Sequence, residues 1–263
     1  MKAYFAHIRR DGLKEQAMGA HLLRVGNLMK EDAARIGLSS LAYLIGVLHD
    51  LGKCSKDFAD YLDWCHKHPE DNSRKGTVDH SSAGGQFLMQ RYGRRGDSAL
   101  LTVHIAALVI FSHHTGLMNY LGEDGVSDFL RRMEKIDVPN VDLSYYYDTV
   151  LSESELDLFF EHAVHEFTVL DAKITALAPE SGEKYHFYWG MVHKLMLSML
   201  VDADRLDSAE FELGEARERV WDTSAIWKDF SDKLEQKLAG FTLPSEPKAK
   251  EIAHLRQKIS EDC

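Results

Sequence analysis

Hydrophobic and polar positions recur with a helical period along nearly the whole chain. Met18, Leu22, Val25 and Met29 fall at i, i+4, i+7 and i+11, one face of a helix, and His21 edges that face. The stretch Leu41–Leu51 is apolar nearly all round, which predicts a central helix. Ser39 or Ser40 would cap it, and Gly52 would end it in a left-handed conformation. Ser55 can cap a third helix carrying Phe58, Tyr61, Leu62 and Cys65. After a polar loop, a fourth runs from near His80 to about Tyr92, with Gly84 and Gly85 marking a close backbone approach. A fifth, Ala99–Phe111, is strongly apolar and ends at His113-His114-Thr115-Gly116. Ser152-x-x-Glu155 reads as a capping box opening a helix to about Ala176. Pro179, Ser181 and Gly182 form a loop before a long helix, about Glu183–Arg205, and another helix covers Ser224–Leu238. No alternating strand pattern and no internal repeat is present. The expected fold is all-α, with one compact domain over residues 1–240. Gly240, Pro244 and Pro247 mark a linker, so residues 241–263 read as linker and polar helical tail.

Composition narrows the setting. The chain has 263 residues, 44% hydrophobic and 28% charged, which fits a soluble globular protein with a sizeable core. The longest apolar run, around Leu100–Phe111, is broken by Thr102 and His104, too short to span a bilayer. The start, MKAYFAHIRRDG, lacks the features of a secretory signal, so a cytoplasmic location with no membrane partner is expected. Cys54, Cys65 and Cys263 fit no zinc-knuckle spacing and read as reduced thiols, Cys54 as a small buried side chain. The net charge of −11 makes the surface a poor general glue for nucleic acid. A nucleic-acid function would need bound cations, a local basic strip or a partner domain to offset it. The short clusters Arg91, Arg94, Arg95 and Arg131, Arg132 read as solvated surface.

His49-Asp50 carries the strongest chemical signal. It closes the buried apolar helix in VLHDLGK, and an unpaired carboxylate there costs several kcal/mol. A divalent cation is the strongest partner available, and adjacent imidazole and carboxylate ligands suit it. Other polar residues occupy similar positions. His21 lies on the first helix, His80 in Asp79-His80-Ser81 at a helix start, and His113-His114 at the end of the fifth helix. Asp202 and Asp204 lie in LSMLVDADRLD, where another apolar helix runs out. Each alone is more often a hydrogen-bonded polar residue than a ligand. Five helix-associated sites at apolar boundaries are hard to obtain by packing alone.

The order H…HD-x-GK…DHS…HH-x-G-L…AD resembles the His-Asp (HD) nuclease domain of the CRISPR-associated type I interference nuclease–helicase. The carrying stretches are GAHLLRVGNLM, LIGVLHDLGKCSKDFADYL, DHSSAGG, FSHHTGL and LVDADRLDSAEF, over most of Met18–Phe211. The LVDADRLD form and the tail IAHLRQKISEDC resemble the subtype I-C branch. The resemblance implies an HD-domain helical bundle with a buried metal site. His21, His49, Asp50 and Asp204 would hold one metal, and His80, His113 and His114 the second, with Asp50 bridging. Asp204 is preferred to Asp202 because it follows Ala203. Lys53 would contact phosphate, and Ser81 would bond near His80 or the substrate. Such mixed ligands favour two divalent transition ions, manganese, iron, cobalt or nickel, about 3.5–4 Å apart and able to clamp an in-line displacement.

The activity implied is metal-dependent cleavage of single-stranded DNA in CRISPR interference and antiviral defence. The implied partners are a guide-RNA surveillance complex and a helicase motor in cis or trans. No Walker-type G-x-x-x-x-G-K-[ST] occurs, so the chain reads as the nuclease domain without its motor. An HD phosphohydrolase acting on nucleotides or cyclic dinucleotides is the alternative. It shares His21, His49, Asp50 and Asp204, but does not by itself predict the DHS and HH-x-G-L segments, and a Gly-Tyr-Pro signature is missing. A non-catalytic helical module with a structural metal is the third reading, opposed by the complete ligand set. His7 is expected in a loop contact, with support of a metal ligand as the alternative. His66 and His68 read as solvated, His162 and His165 as surface or packing, and Tyr145, Tyr146 and Tyr147 as packing rather than base-stacking.

Overall fold

The computed structural model describes residues 3–9, 11–74, 76–179, 181–216, 223–240 and 245–262. They form eleven α-helices and one two-stranded antiparallel sheet, in two units, Met1–Ala216 and Arg217–Cys263. The sheet pairs β1 (Phe5–Ile8) with β2 (Glu15–Ala17) through an irregular register between Phe5 and His7. Sequence pattern misses it because seven residues, three of them polar, carry no period. The all-α reading of the fold otherwise stands.

The first unit is built on α1 (Met18–Ala33) and α2 (Ser39–Leu48). The apolar stripe of α1 is fully buried at Met18, Leu22, Val25 and Met29, and every residue of α2 from Leu41 to Leu48 is buried. The two helices cross at paired glycines. A Cβ on Gly46 would sit 2.6 Å from the Gly26 Cα, and one on Gly26 would sit 2.6 Å from Val47 Cγ1. This approach lets His21 and His49 come within 5.3 Å, centroid to centroid.

The start of α2 departs from expectation. No serine hydroxyl caps it. Glu166, on α8 (Glu153–Leu177), accepts instead from the backbone N–H groups of Ser40 and Leu41 at 2.9 and 3.0 Å. A carboxylate there satisfies orphan donors and faces the positive end of the helix. The end also differs: α2 stops at Leu48, and a short 3-10 turn follows over Leu51–Lys53. Gly52 has no positive φ. It is needed because the chain at His80 presses on it; a Cβ there would lie 2.5 Å from the His80 carbonyl oxygen.

Ser55 caps α3 (Lys56–Lys67) by accepting from Phe58 N–H. The fourth helix, α4 (Ala83–Tyr92), begins three residues after His80, and Gly84 meets the Leu48 carbonyl at the end of α2. The fifth, α5 (Asp97–Ser112), is buried on most sides and delivers His113. Two short helices follow, α6 (Asp128–Met133) and α7 (Leu143–Thr149). The capping box at Ser152 and Glu155 opens α8. The unit closes with α9 (Gly182–Leu213), which runs eight residues past Arg205, where its apolar pattern ends.

The second unit holds α10 (Ser224–Ala239) and α11 (Pro247–Asp262). The sequence reading places α10 in the first domain, whereas the first compact unit ends at Ala216. Helix α10 buries none of its residues, and Trp227, Phe230 and Leu234 are exposed. The linker stretch 241–244 and Cys263 lie outside the described residues. Among the described residues, no helix is long and apolar enough to cross a membrane.

Substituting Gly46→Ala tests the crossing. Overpacking costs roughly 1–3 kcal/mol, more than the helix-propensity gain of about 1 kcal/mol. The expected outcome is a lower urea midpoint with unchanged slope; a raised midpoint would mean the helices separate freely.

Candidate metal centre

Two helix ends deliver the first imidazoles by the same device. His49 follows α2, and its Nδ1–H donates to the Gly46 carbonyl at 2.7 Å. His113 follows α5, and its Nδ1–H donates to the Ile110 carbonyl at 2.6 Å. The last carbonyls of a helix lack intrahelical partners, so a ring N–H three residues on satisfies one of them. A carbonyl only accepts, so the proton sits on Nδ1 and Nε2 carries the free lone pair. His21 is oriented by a carboxylate. Its Nδ1–H donates to Asp207 Oδ2 at 2.6 Å, and Gln16 Nε2 donates to the same oxygen at 2.7 Å. All three Nε2 atoms point toward Asp50.

Asp50 divides its two oxygens between two groups. Oδ2 lies 3.6 Å from His21 Nε2 and 3.4 Å from His49 Nε2, and Asp204 Oδ1 lies 3.6 and 3.9 Å from the same nitrogens. Oδ1 lies 3.5 Å from His113 Nε2 and 3.7 Å from His80 Nε2. His80 Nε2 is in turn 2.8 Å from His114 Nε2. The result is two quartets, His21-His49-Asp50-Asp204 and Asp50-His80-His113-His114, each with one donor atom per residue within 4.8 Å of the others. All seven sequence-derived candidates for metal ligation therefore converge, and Asp50 belongs to both quartets.

The donors suit cations. His21 Nε2, His49 Nε2, His113 Nε2 and Asp50 Oδ1 are buried without a hydrogen-bond partner, and Asp50 Oδ2 meets the Lys53 ammonium. Each such atom costs roughly 1–3 kcal/mol if left unsatisfied, too much for four atoms facing one spot by packing alone. Two donors that share an ion at about 2.0–2.2 Å each fall near the spacings seen here.

Electrostatics keep the donors in ligating form. Burial pushes the Asp50 carboxyl up, but Lys53, His49, His113 and His21 outweigh it and hold Asp50 well below the ordinary carboxylate range. Burial acts likewise on Asp204, and His49 again outweighs it. Burial pushes His80 and His114 down to about 4, so both rings are neutral. His21 is the exception: burial pushes it down, but its bonds to Asp207 and Asp50 hold it above its ordinary value and favour the protonated ring, so a cation there must displace that proton.

The remaining candidates are placed as follows. Lys53 Nζ sits 2.7 Å from Asp50 Oδ2 as a buried ion pair, above the Phe58 ring. Ser81 Oγ donates to Asp79 Oδ1 at 3.1 Å and accepts from Arg132 Nη1 at 3.1 Å. Asp202 is exposed, while Asp204 and Asp207, three apart on α9, face His21. His7 Nε2 lies 3.1 Å from Ser208 Oγ, and its ring meets His21 edge-on at 5.3 Å. His66, His68, His162 and His165 are exposed, and Tyr145 and Tyr146 are core residues. Burial pushes the Cys54 thiol up to about 12, with Asp50 adding to it, so it stays protonated.

Sequence reasoning missed the supports. Asp207 is one, visible only as an acid one turn after Asp204. Asp79 is another: it accepts from Ser81 N–H, Ser82 N–H and both hydroxyls, folding the turn that carries His80. Arg132 and Lys135 bind the same carboxylate at 3.1 and 2.6 Å. Two arginines expected to be solvated are thus engaged, Arg132 here and Arg91 in a two-pronged pair with Asp157. Their acids lie 53 and 66 residues away, beyond the reach of a local pattern.

A helical unit with clustered His and Asp donors around an HD pair defines a metal-dependent hydrolase of the HD type. A comparison with protein-family models matches the family described as Cas3, HD domain, over residues 10–243. The chain belongs to this Cas3 HD-domain family, which makes it a metal-dependent hydrolase of the nuclease or phosphohydrolase kind, associated with CRISPR interference. No match to it is found among curated proteins.

Asp207→Ala should lower Mn²⁺ affinity about 10–100-fold, the usual effect of losing a partner that orients a ligating histidine. Calorimetric titration reads this, with far-UV circular dichroism as the check on folding. Unchanged affinity in a folded variant would show that Asp207 has no hold on the ring.

Proposed function

We propose that this chain is a nuclease that cleaves single-stranded DNA with two divalent transition-metal ions, one in each quartet. The observation that carries the reading is the shared Asp50, whose two oxygens face separate groups of histidines. His21, His49 and Asp204 would complete one metal site, and His80, His113 and His114 the other. When bound, such a pair supplies an activated water and a positive field for the phosphate. The rest falls to the chain's own side chains. Asp50 stays ionised and keeps the two sites in register. Gly46, Ile110 and Asp207 hold three rings with Nε2 forward. Lys53 is close enough to the centre to meet a non-bridging phosphate oxygen. Ser81 steadies the His80 turn. The metals also offset part of the charge that opposes an anionic strand to a −11 chain.

Backbone recognition suits this arrangement, because the centre offers metal and imidazole rather than base-edge donors. The LVDADRLD stretch supports the subtype I-C branch. Residues 241–263 would lead toward a helicase motor in cis or trans, working with a guide-RNA surveillance complex in the cytoplasm.

Asp50→Ala is expected to abolish cleavage of a labelled oligodeoxynucleotide and to lower bound Mn²⁺, both measured on protein with native circular dichroism. His162→Ala, on the exposed face of α8, should retain near-normal activity. Cleavage surviving Asp50→Ala would sink the two-metal assignment. Turnover of nucleotides without cutting of DNA would instead favour a phosphohydrolase.

A further inference from the structure

A cleft of about 310 Å³ opens between the segment that directly follows His114 and helix α6. Its walls include Thr115, Met118 and Asn119 on one side and Asp128, Arg131 and Arg132 on the other. We infer that this cleft holds the phosphodiester backbone of the single strand beside the scissile bond, with Arg131 as its phosphate contact. The inference rests on the reading of the centre as a DNA nuclease and adds the path of the substrate.

Placement is the first support. One wall is continuous in sequence with His114, and the other is fixed to the turn of His80. Arg132 Nη1 contacts Asp79 Oδ2 at 3.1 Å, Ser81 Oγ at 3.1 Å and Ser82 Oγ at 3.2 Å, on both sides of His80. Gln86 Nε2 donates to the carbonyls of Arg132 and Lys135 and ties the same segment to α4. The cleft therefore adjoins the exposed side of the second quartet.

Charge is the second. Around the first quartet, the exposed charged side chain that α9 adds beside Asp204 and Asp207 is the carboxylate of Asp202. Of the charged residues that line the cleft, Arg131 and Arg132 outnumber Asp128. Arg132 is committed to Asp79. Arg131 is not: its side chain is 73% exposed and meets Asp128 at 2.6 Å as an i, i+3 pair on a short surface helix. Such exposed pairs contribute little, and a guanidinium gains more from a two-pronged contact with phosphate. Asn119 and Thr115 add polar groups without charge, and Met118 offers an apolar surface to a sugar or base.

The test compares the wild type with Arg131→Ala and Arg131→Lys, and with Lys67→Ala on α3 as a control. A labelled oligothymidine is titrated into chelator-treated protein at several salt concentrations, and cleavage kinetics are then measured with Mn²⁺. Arg131→Ala should raise Kd and KM roughly three- to ten-fold and reduce the salt slope by about 0.7, the share of one phosphate on a single strand. It should leave kcat and Mn²⁺ uptake unchanged. Arg131→Lys should recover most of the slope, and Lys67→Ala should change nothing. An Arg131→Ala protein with wild-type Kd, salt slope and KM would overturn the assignment of the cleft. If the wild type cuts no DNA, the nuclease reading fails, and an Arg131-dependent Kd still decides whether the cleft holds a strand.

Discussion

Asp50 is an ionised carboxylate at 1% exposure in the middle of a helical unit, and the surroundings of that charge set the arrangement of the helices. Removing a carboxylate from water costs several kcal/mol even after the protein relaxes. The only formal cation in direct contact with it among the described residues is Lys53, at one oxygen. Four imidazoles within 3.4–3.7 Å supply the rest of its polar environment. A carboxylate so placed tolerates few alternatives. Loss of any partner leaves charge buried without compensation, which is why packing, tautomer and charge are tied together here.

The helices converge because small residues let them. Gly26 and Gly46 bring α1 against α2, and Gly52 and Gly84 let the His80 segment and α4 rest on the end of α2. Each contact is made backbone to backbone or nearly so, and a methyl group would displace it by more than a side-chain rotation can absorb. The rings at the ends of α2 and α5 then bond back to their own helices, so their direction is set by the helix axis. Two helix ends and the Asp207 carboxylate thus aim three Nε2 atoms without a dedicated loop.

Much of this was legible in the sequence, and the boundary follows the range of the interactions. Helices with a buried stripe, such as Met18–Met29, were visible from period alone. His21, His49, Asp50, His80, His113, His114 and Asp204 stood out because each is polar where an apolar helix meets a loop. What failed depends on distant partners. Glu166 capping α2 lies 126 residues from Ser40, and Asp207 supporting His21 lies 186 residues away. Ser39, Ser40 and Gly52 each carried a sound local signal that a tertiary contact displaced. The hairpin at Phe5–Ala17 was too short to show alternation.

The two quartets are not equivalent in how they are held. Around the first, His21 and His49 are wholly buried, and their second nitrogens bond a buried carboxylate and a helix carbonyl. In the second, His113 is fixed in the same way, but His114 is exposed and His80 rides on a turn held by Asp79. The turn depends on ion pairs to Arg132 and Lys135, side chains 25% and 39% exposed. Hydrogen bonds inside a packed core resist solvent and salt, whereas partly exposed ion pairs are screened. The first quartet therefore has the stiffer geometry, and the second has the room to adjust. The centre reaches solvent most at His114, while His80 and Asp204 are each 20% exposed. Rigidity at the buried half and access at the exposed half follow from one placement, a carboxylate shared between the core and the rim.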